Sequence, residues 1–359
     1  MNWFAGSTFK IWWEFLKSNK QLWYPKNWIR ILLTSIFTLR NSKISKKENK
    51  LISDVNFNSI QIQDPIFILG HWRSGTTHLH NILINDSDFN YPTLLQVTFP
   101  NTFLMIQKKV ELKKQRPNER PMDNMQITYN SPSEEEVAVW TMCNISSIGN
   151  RLVKDKEGYY DKFLTFSDAS ENEYNVWKEN LTYFLKKVSL NDNRRLLLKS
   201  PESTARINLL LELFPNAKFI NIHRNPFDVY KSTKNLYKKV FKPSYFHKVS
   251  NKHLEERIFK VYKNMHEAYF KSVDLIPENN FMDISYEDLI NNPMKTIQSI
   301  YKDLCMELTD NTQKKMEIYL DSVNDYKKNE YSKTGEELVN KIFSEWEMCF
   351  KSWNYDIED

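Results

Sequence analysis

Apolar positions along this chain follow two regimes. In the first 45 residues, Phe9, Trp12, Trp13 and Leu16 recur at helical spacing, with Lys10 and Lys17 off that stripe. A second apolar run follows through Trp23, Trp28, Ile31, Leu32 and Phe37. The spacing predicts a helical pair packed on the main domain; a helix lying on a membrane surface, or a lid over an apolar substrate, is the alternative. Ser42 to Lys50 is lysine-rich and reads as a hinge, so residues 1–50 form an N-terminal aromatic and basic segment and 51–359 the main domain.

After the hinge, short apolar runs alternate with helical stretches. Pro65 to Leu69, Leu196 to Leu198, Lys218 to Ile222 and Phe281 to Ser285 read as buried strands, with a helix from about Ser203 to Leu213 between the second and third. Strand–helix–strand alternation implies an α/β domain of three layers, a central parallel sheet flanked by helices. There is no internal repeat and no low-complexity tract.

Composition narrows the class. At 41% hydrophobic and 26% charged residues the chain has the make-up of a soluble globular protein. The 14% aromatic share fits an apolar acceptor pocket and a well-packed core equally. A net charge of +5 is too small for a nucleic-acid partner but suits attraction of a small polyanion. The three cysteines, Cys143, Cys305 and Cys349, are scattered and read as reduced core thiols of a cytoplasmic protein. The apolar run from Trp28 to Leu39 is shorter than the ~20 residues of a membrane span, and no signal peptide is expected.

The chemistry concentrates first at Gly70-His71-Trp72-Arg73-Ser74-Gly75-Thr76-Thr77, directly after an apolar strand. Two of only six glycines bracket this loop, and a helix-compatible stretch follows. Such a turn aims backbone N–H groups and a helix N-terminus at one point, which makes an anion site of phosphate-binding-loop type. A kinase places lysine after the second glycine; here that position is Thr76, and the cation is Arg73 within the loop. Arg73, Ser74, Gly75, Thr76 and Thr77 are thus candidates to cradle a 5′-phosphate. A second anion site is expected at Arg224, after the strand ending at Ile222, with Asn225 capping a helix, Pro226 in its first turn and Ser232 two turns along. Together the sites imply a ligand with two separated phosphates.

These residues resemble the sulfotransferase superfamily, in particular its bacterial-type branch with the loop Arg-Ser-Gly-Thr-Thr. Leu198-Lys199-Ser200-Pro201, Phe214 to Ile220, and Ser285-Tyr286-Glu287-Asp288-Leu289 with Pro293 are similar to further family elements, and the likeness covers roughly residues 62–353. The resemblance implies 3′-phosphoadenosine 5′-phosphosulfate (PAPS) as donor, no metal, and transfer of a sulfuryl group to a hydroxyl acceptor. It implies Arg73 as the loop cation and Lys199 as a strand-end cation facing the sulfuryl group. Where some members carry a histidine base, this chain has Pro201, so the base is sought in Ser131-Pro132-Ser133-Glu134-Glu135-Glu136-Val137, with Glu134 and Glu136 first. Ser133 and Glu136 form a capping-box pattern whose exposed first turn would aim one carboxylate into the cleft. His71, His78 and His80 are alternatives. Arg120 to Asn124 looks like a branch motif near the acceptor, and Tyr331 to Gly335 like a loop closing over the donor. The acceptor is expected to be a small-molecule or lipid-like alcohol such as a sterol, with peripheral membrane contact through residues 1–45; a carbohydrate hydroxyl is the rival. A small-molecule kinase and a nucleotide-binding module are the other readings.

Overall fold

The computed structural model describes residues 3–111, 117–120, 123, 125–324 and 335–357. The chain divides into two compact units, one of residues 1–62, 91–193 and 240–249, the other of 63–90, 194–239 and 250–359.

The first unit is helical apart from a short antiparallel pair, Asn118–Glu119 with Gln126–Ile127. Helix α1, Phe9–Ser18, buries Trp12, Phe15 and Leu16. Phe4 lies 4.7 Å from Trp12, 4.6 Å from Phe15 and 5.4 Å from Trp140 between ring centroids, an aromatic cluster of the tilted kind that the ring quadrupoles favour. Trp13, expected on the buried stripe, is 40% exposed; Phe15 takes that place. Helix α2, Trp28–Ser53, runs straight through the lysine-rich stretch read as a hinge. Lysine is a good helix former, and within this run Glu48 is buried in an ion pair with Lys187, so the segment is anchored rather than flexible.

The second unit holds a five-stranded parallel sheet of β1 (Ile66–Leu69), β2 (Phe89–Asn90), β3 (Arg195–Leu198), β4 (Lys218–His223) and β5 (Phe281–Ser285), in the order β2-β3-β1-β4-β5. The four strands expected from the sequence are all present, and the expected three-layer α/β architecture is observed. Along one face, Ile66, Ile68, Leu197, Ile220 and Ile222 pack with Leu79, Ile82, Ile297, Ile300 and Met316 of three helices. On the other face Phe67 stacks on Phe219 at 5.5 Å and meets Phe214, which follows the helix Ile207–Leu213. The helix expected from Ser203 starts at Ile207 instead, and a 3-10 turn, Pro201–Ala205, precedes it. Among the described residues no helix is long and apolar enough to cross a membrane.

Register decides where the chemistry falls. Leu69 pairs with Asn221, Phe67 with Leu198, and His223 with Ser285, so β1, β3, β4 and β5 end along one edge of the sheet. The glycine loop, Lys199, Arg224 and Tyr286 each follow one of these ends.

Candidate active site

Carboxyl ends of adjacent parallel strands are where open α/β sheets bind ligands, and the loop after β1 is shaped for it. Gly70 has φ +136° and Gly75 φ +106°, and between them Arg73 adopts φ 75°. A Cβ on Gly75 would sit 2.4 Å from the Tyr286 ring, so that position admits only glycine. Gly70 N–H donates to Thr204 Oγ1 at 2.7 Å, and Ser74 Oγ donates to the His71 carbonyl at 2.9 Å, which holds the turn. Helix α3, Thr76–Leu83, starts at its end, so the first-turn N–H groups of Thr76 and Thr77 point back into the loop with no intrahelical partner.

The two expected anion sites come together. Arg73 Nε donates to Ser232 Oγ at 2.8 Å, which joins the loop to the helix Pro226–Leu236. That helix starts as expected: Asn225 Oδ1 accepts from Phe227 N–H at 2.9 Å, and Pro226 occupies its first turn. Arg224 lies over the Tyr286 ring at 4.4 Å, with Nη2 donating to Asp228 at 2.7 Å. Its Nε is buried and has no hydrogen-bond acceptor among the described residues. A buried guanidinium N–H of this kind is costly unless an anion completes it, so the donor set fits a phosphate. On the other side of β1, Lys199 is buried rather than solvated, and its charge acts on His80 of α3.

A sequence model of the sulfotransferase family matches residues 65–310, more than half of the chain. The chain belongs to the sulfotransferase family. It is 28% identical over 356 residues, 98% of its own length and 91% of theirs, to omega-hydroxy-beta-dihydromenaquinone-9 sulfotransferase Stf3 of Mycobacterium bovis and of Mycobacterium tuberculosis. Its fold is similar to crystal structures of sulfotransferase STF9 from Mycobacterium avium (TM-score 0.68, 17% identity, 89% of this chain and 83% of that one) and STF1 from M. tuberculosis (TM-score 0.64, 18% identity, 88% and 84%). The protein is therefore a PAPS-dependent sulfotransferase, as the motifs implied.

In this sulfotransferase the acidic turn differs from its expected form. The helix spans Glu135–Cys143 with Glu134, not Ser133, at the N-cap, and no side chain caps it. Ser133 is held outside the helix because its N–H donates to the Pro92 carbonyl at 2.9 Å. Its first turn is not exposed: Glu135 and Glu136 are buried, and Glu136 Oε1 accepts from Ser146 Oγ at 2.5 Å. Glu134 is half-buried. Of the alternative bases, His80 is pushed down to about 3 by burial and by the Lys199 charge, which makes it too weak a base at neutral pH. His71 is buried, with Nδ1 2.7 Å from the Trp72 carbonyl, while His78 is half-buried. Arg120 pairs with Asp123 at 3.3 Å; Pro121, Met122 and Asn124, and Tyr331 to Thr334 of the expected closing loop, lie outside the described residues.

Tyr286 lies in a family element whose pattern assigns it no task. The structure puts its ring against both Gly75 and Arg224. Residues after the last motif also reach the site: Trp353 stacks on His223 at 4.7 Å, and Tyr355 O–H joins His223 Nδ1 (2.8 Å) to Glu287 (3.0 Å). His223 is pushed down to about 4 by burial, and so is neutral beside Arg224. An aromatic near the C-terminus carries no motif, so only packing could reveal it.

Proposed function

We propose that this sulfotransferase moves the sulfuryl group of PAPS to the hydroxyl of an amphipathic, lipid-like alcohol. The observation that carries the donor reading is the Arg73–Ser232 hydrogen bond, 2.8 Å long, which links the glycine loop to the Arg224 motif. Arg73, Ser74, Gly75, Thr76 and Thr77 would hold the 5′-phosphosulfate side. Arg224 and Ser232 would hold the 3′-phosphate, with the Arg224 Nε supplying a buried donor. Lys199, buried at the end of β3, would face the sulfuryl oxygens.

In the transfer the acceptor oxygen forms a bond to sulfur as the bond from sulfur to the 5′-phosphate oxygen breaks, and the leaving electron pair stays on that phosphate. The acceptor proton goes to a carboxylate, which we assign to Glu134 or Glu136. Fixed cations at Arg73 and Lys199 then stabilise charge on the leaving group without a metal. The lipid-like acceptor is supported by the relatives, whose name states a menaquinone-derived substrate. Of the three free cysteines only Cys349 lies in the core as expected, Cys143 being half-buried and Cys305 exposed; an exposed free thiol supports a reducing, cytoplasmic compartment.

Two measurements test this. A thermal-shift comparison should show stabilisation by 3′,5′-ADP and little by ATP with Mg²⁺, since a ligand of the folded state raises its melting temperature; stabilisation by ATP–Mg²⁺ alone would overturn the donor reading. A radiolabelled-donor screen over sterols, quinols, phenols and sugars should label the apolar alcohols. Preferential labelling of sugars would replace the acceptor by a carbohydrate.

A further inference from the structure

Helix α2 is built inside out. Its buried stripe is Ile31, Thr34, Thr38, Asn41, Ser45, Glu48 and Ile52, spaced alternately three and four residues apart, and mostly polar. Those polar groups are used: Asn41 Nδ2 donates to the Ala5 and Ser7 carbonyls at 2.6 and 3.1 Å, and Glu48 pairs with Lys187. The opposite side carries the apolar residues. Ile29 is 75% exposed, Leu32 61%, Trp28 59%, Ile36 54%, and Leu33 and Phe37 51% each. A surface helix of a globular protein has the reverse pattern, with its apolar stripe inward. Large contiguous apolar patches are rare on proteins that meet only water.

Charge identifies the occupant. Along the same outer stripe, Ile29, Leu33 and Ile36 give way to Arg40, Lys43, Lys47 and Lys50, all exposed. The outer face is thus apolar over the first half of the helix and cationic over the second. From Lys10 to Lys50 the chain has ten lysines and arginines against two acids, Glu14 and Glu48, and Glu48 is buried and paired. Trp23 and Tyr24, 44% and 62% exposed, precede the apolar half, as amphipathic rings do at membrane interfaces. A second protein copy would need acidic side chains opposite the lysines, and this segment offers almost none. An anionic bilayer supplies both halves at once, acyl chains for the apolar part and headgroups for the lysines.

We propose that the outer face of α2 is a docking surface for an anionic lipid bilayer, with Trp28 to Leu39 at the acyl boundary and Arg40 to Lys50 on the headgroups. This deepens the reading of a lipid-like acceptor, because an enzyme resting on a bilayer meets an amphipathic alcohol where it is dissolved.

The experiment is co-sedimentation of the full chain with vesicles of phosphatidylcholine alone or with about a third phosphatidylserine. Binding is expected only with phosphatidylserine, and should weaken as salt rises. The quadruple variant Lys43→Gln, Lys46→Gln, Lys47→Gln, Lys50→Gln should bind at least about a hundredfold more weakly, since each basic residue near an anionic surface is worth about fivefold. Leu33→Gln with Ile36→Gln should also lose binding. Both variants alter only exposed side chains and should keep the wild-type thermal shift with 3′,5′-ADP, so failure here is separable from failure of the donor site. No binding to either vesicle, or equal and salt-insensitive binding to both, overturns the proposal. So does sedimentation equilibrium of a dimer that Leu33→Gln with Ile36→Gln dissolves, which would assign the face to a second copy.

Discussion

The sharpest consequence of the site concerns Arg224. Replacing it by alanine would remove the whole side chain beside Tyr286, whose ring carries the guanidinium carbon 4.4 Å from its centroid and also abuts Gly75. Arg224→Met keeps an unbranched apolar side chain beside the ring and removes the guanidinium. One of its donors, Nη2, is already engaged with Asp228, whose side chain is 44% exposed, so exchanging that partner for a phosphate oxygen is close to neutral. The buried Nε is different: it gains a charge-assisted bond where it otherwise has none, worth about 1.5–3 kcal/mol. The expected loss of 3′,5′-ADP affinity is therefore roughly 10- to 150-fold. Isothermal titration of the wild type and variant with 3′,5′-ADP and with 5′-AMP makes the measurement. Affinity for 5′-AMP, which lacks the 3′-phosphate, should change by less than about threefold, a shift well under 1 kcal/mol. Equal losses for both nucleotides would refute the assignment, because Arg224 would then not contact the 3′-phosphate.

Two further predictions follow from the acidic turn and from His80. Glu136→Gln keeps an oxygen to accept from Ser146, and Glu134→Gln keeps the size of the N-cap residue. Whichever is the base should lose roughly 10²- to 10⁴-fold in kcat with 3′,5′-ADP binding intact, and if neither loses tenfold the base lies elsewhere. His80 is neutral in the folded chain until pH nears 3, whereas an unfolded histidine takes a proton below about 6.5. The unfolded state therefore binds more protons in that window, and stability present above pH 6.5 is lost as pH falls. At pH 5 the loss from this group is about 2 kcal/mol. Urea unfolding at pH 7 and pH 5 should show a smaller acid loss in His80→Gln by about that amount; parallel losses in both chains would mean that His80 does not carry it.

The short-range features were legible in the chain itself. A short, largely apolar run closed by a turn or helix-cap residue is enough to place a strand and the turn after it, because local sterics and hydrogen bonding decide both. That is why β1, β3, β4 and β5, the glycine loop and the Asn225 cap stand where the sequence put them. Local rules failed where a distant partner changed the balance. Ser133 lost its capping role to a backbone bond with Pro92, and the lysine-rich stretch became helix around a buried Glu48–Lys187 pair.

What only the tertiary structure decided is which motifs share a place. Sequence names Arg73 and Ser232 but cannot bring them within 2.8 Å; parallel register does, by ending β1 and β4 on one edge of the sheet. The same holds for Tyr286 behind Arg224 and for Trp353 on His223, contacts between segments far apart in the chain. Residue type determines what a side chain can do, and burial against remote partners determines whether it does so. On α2 the composition was plain from the sequence, but only packing revealed that its polar stripe faces inward and its apolar stripe outward.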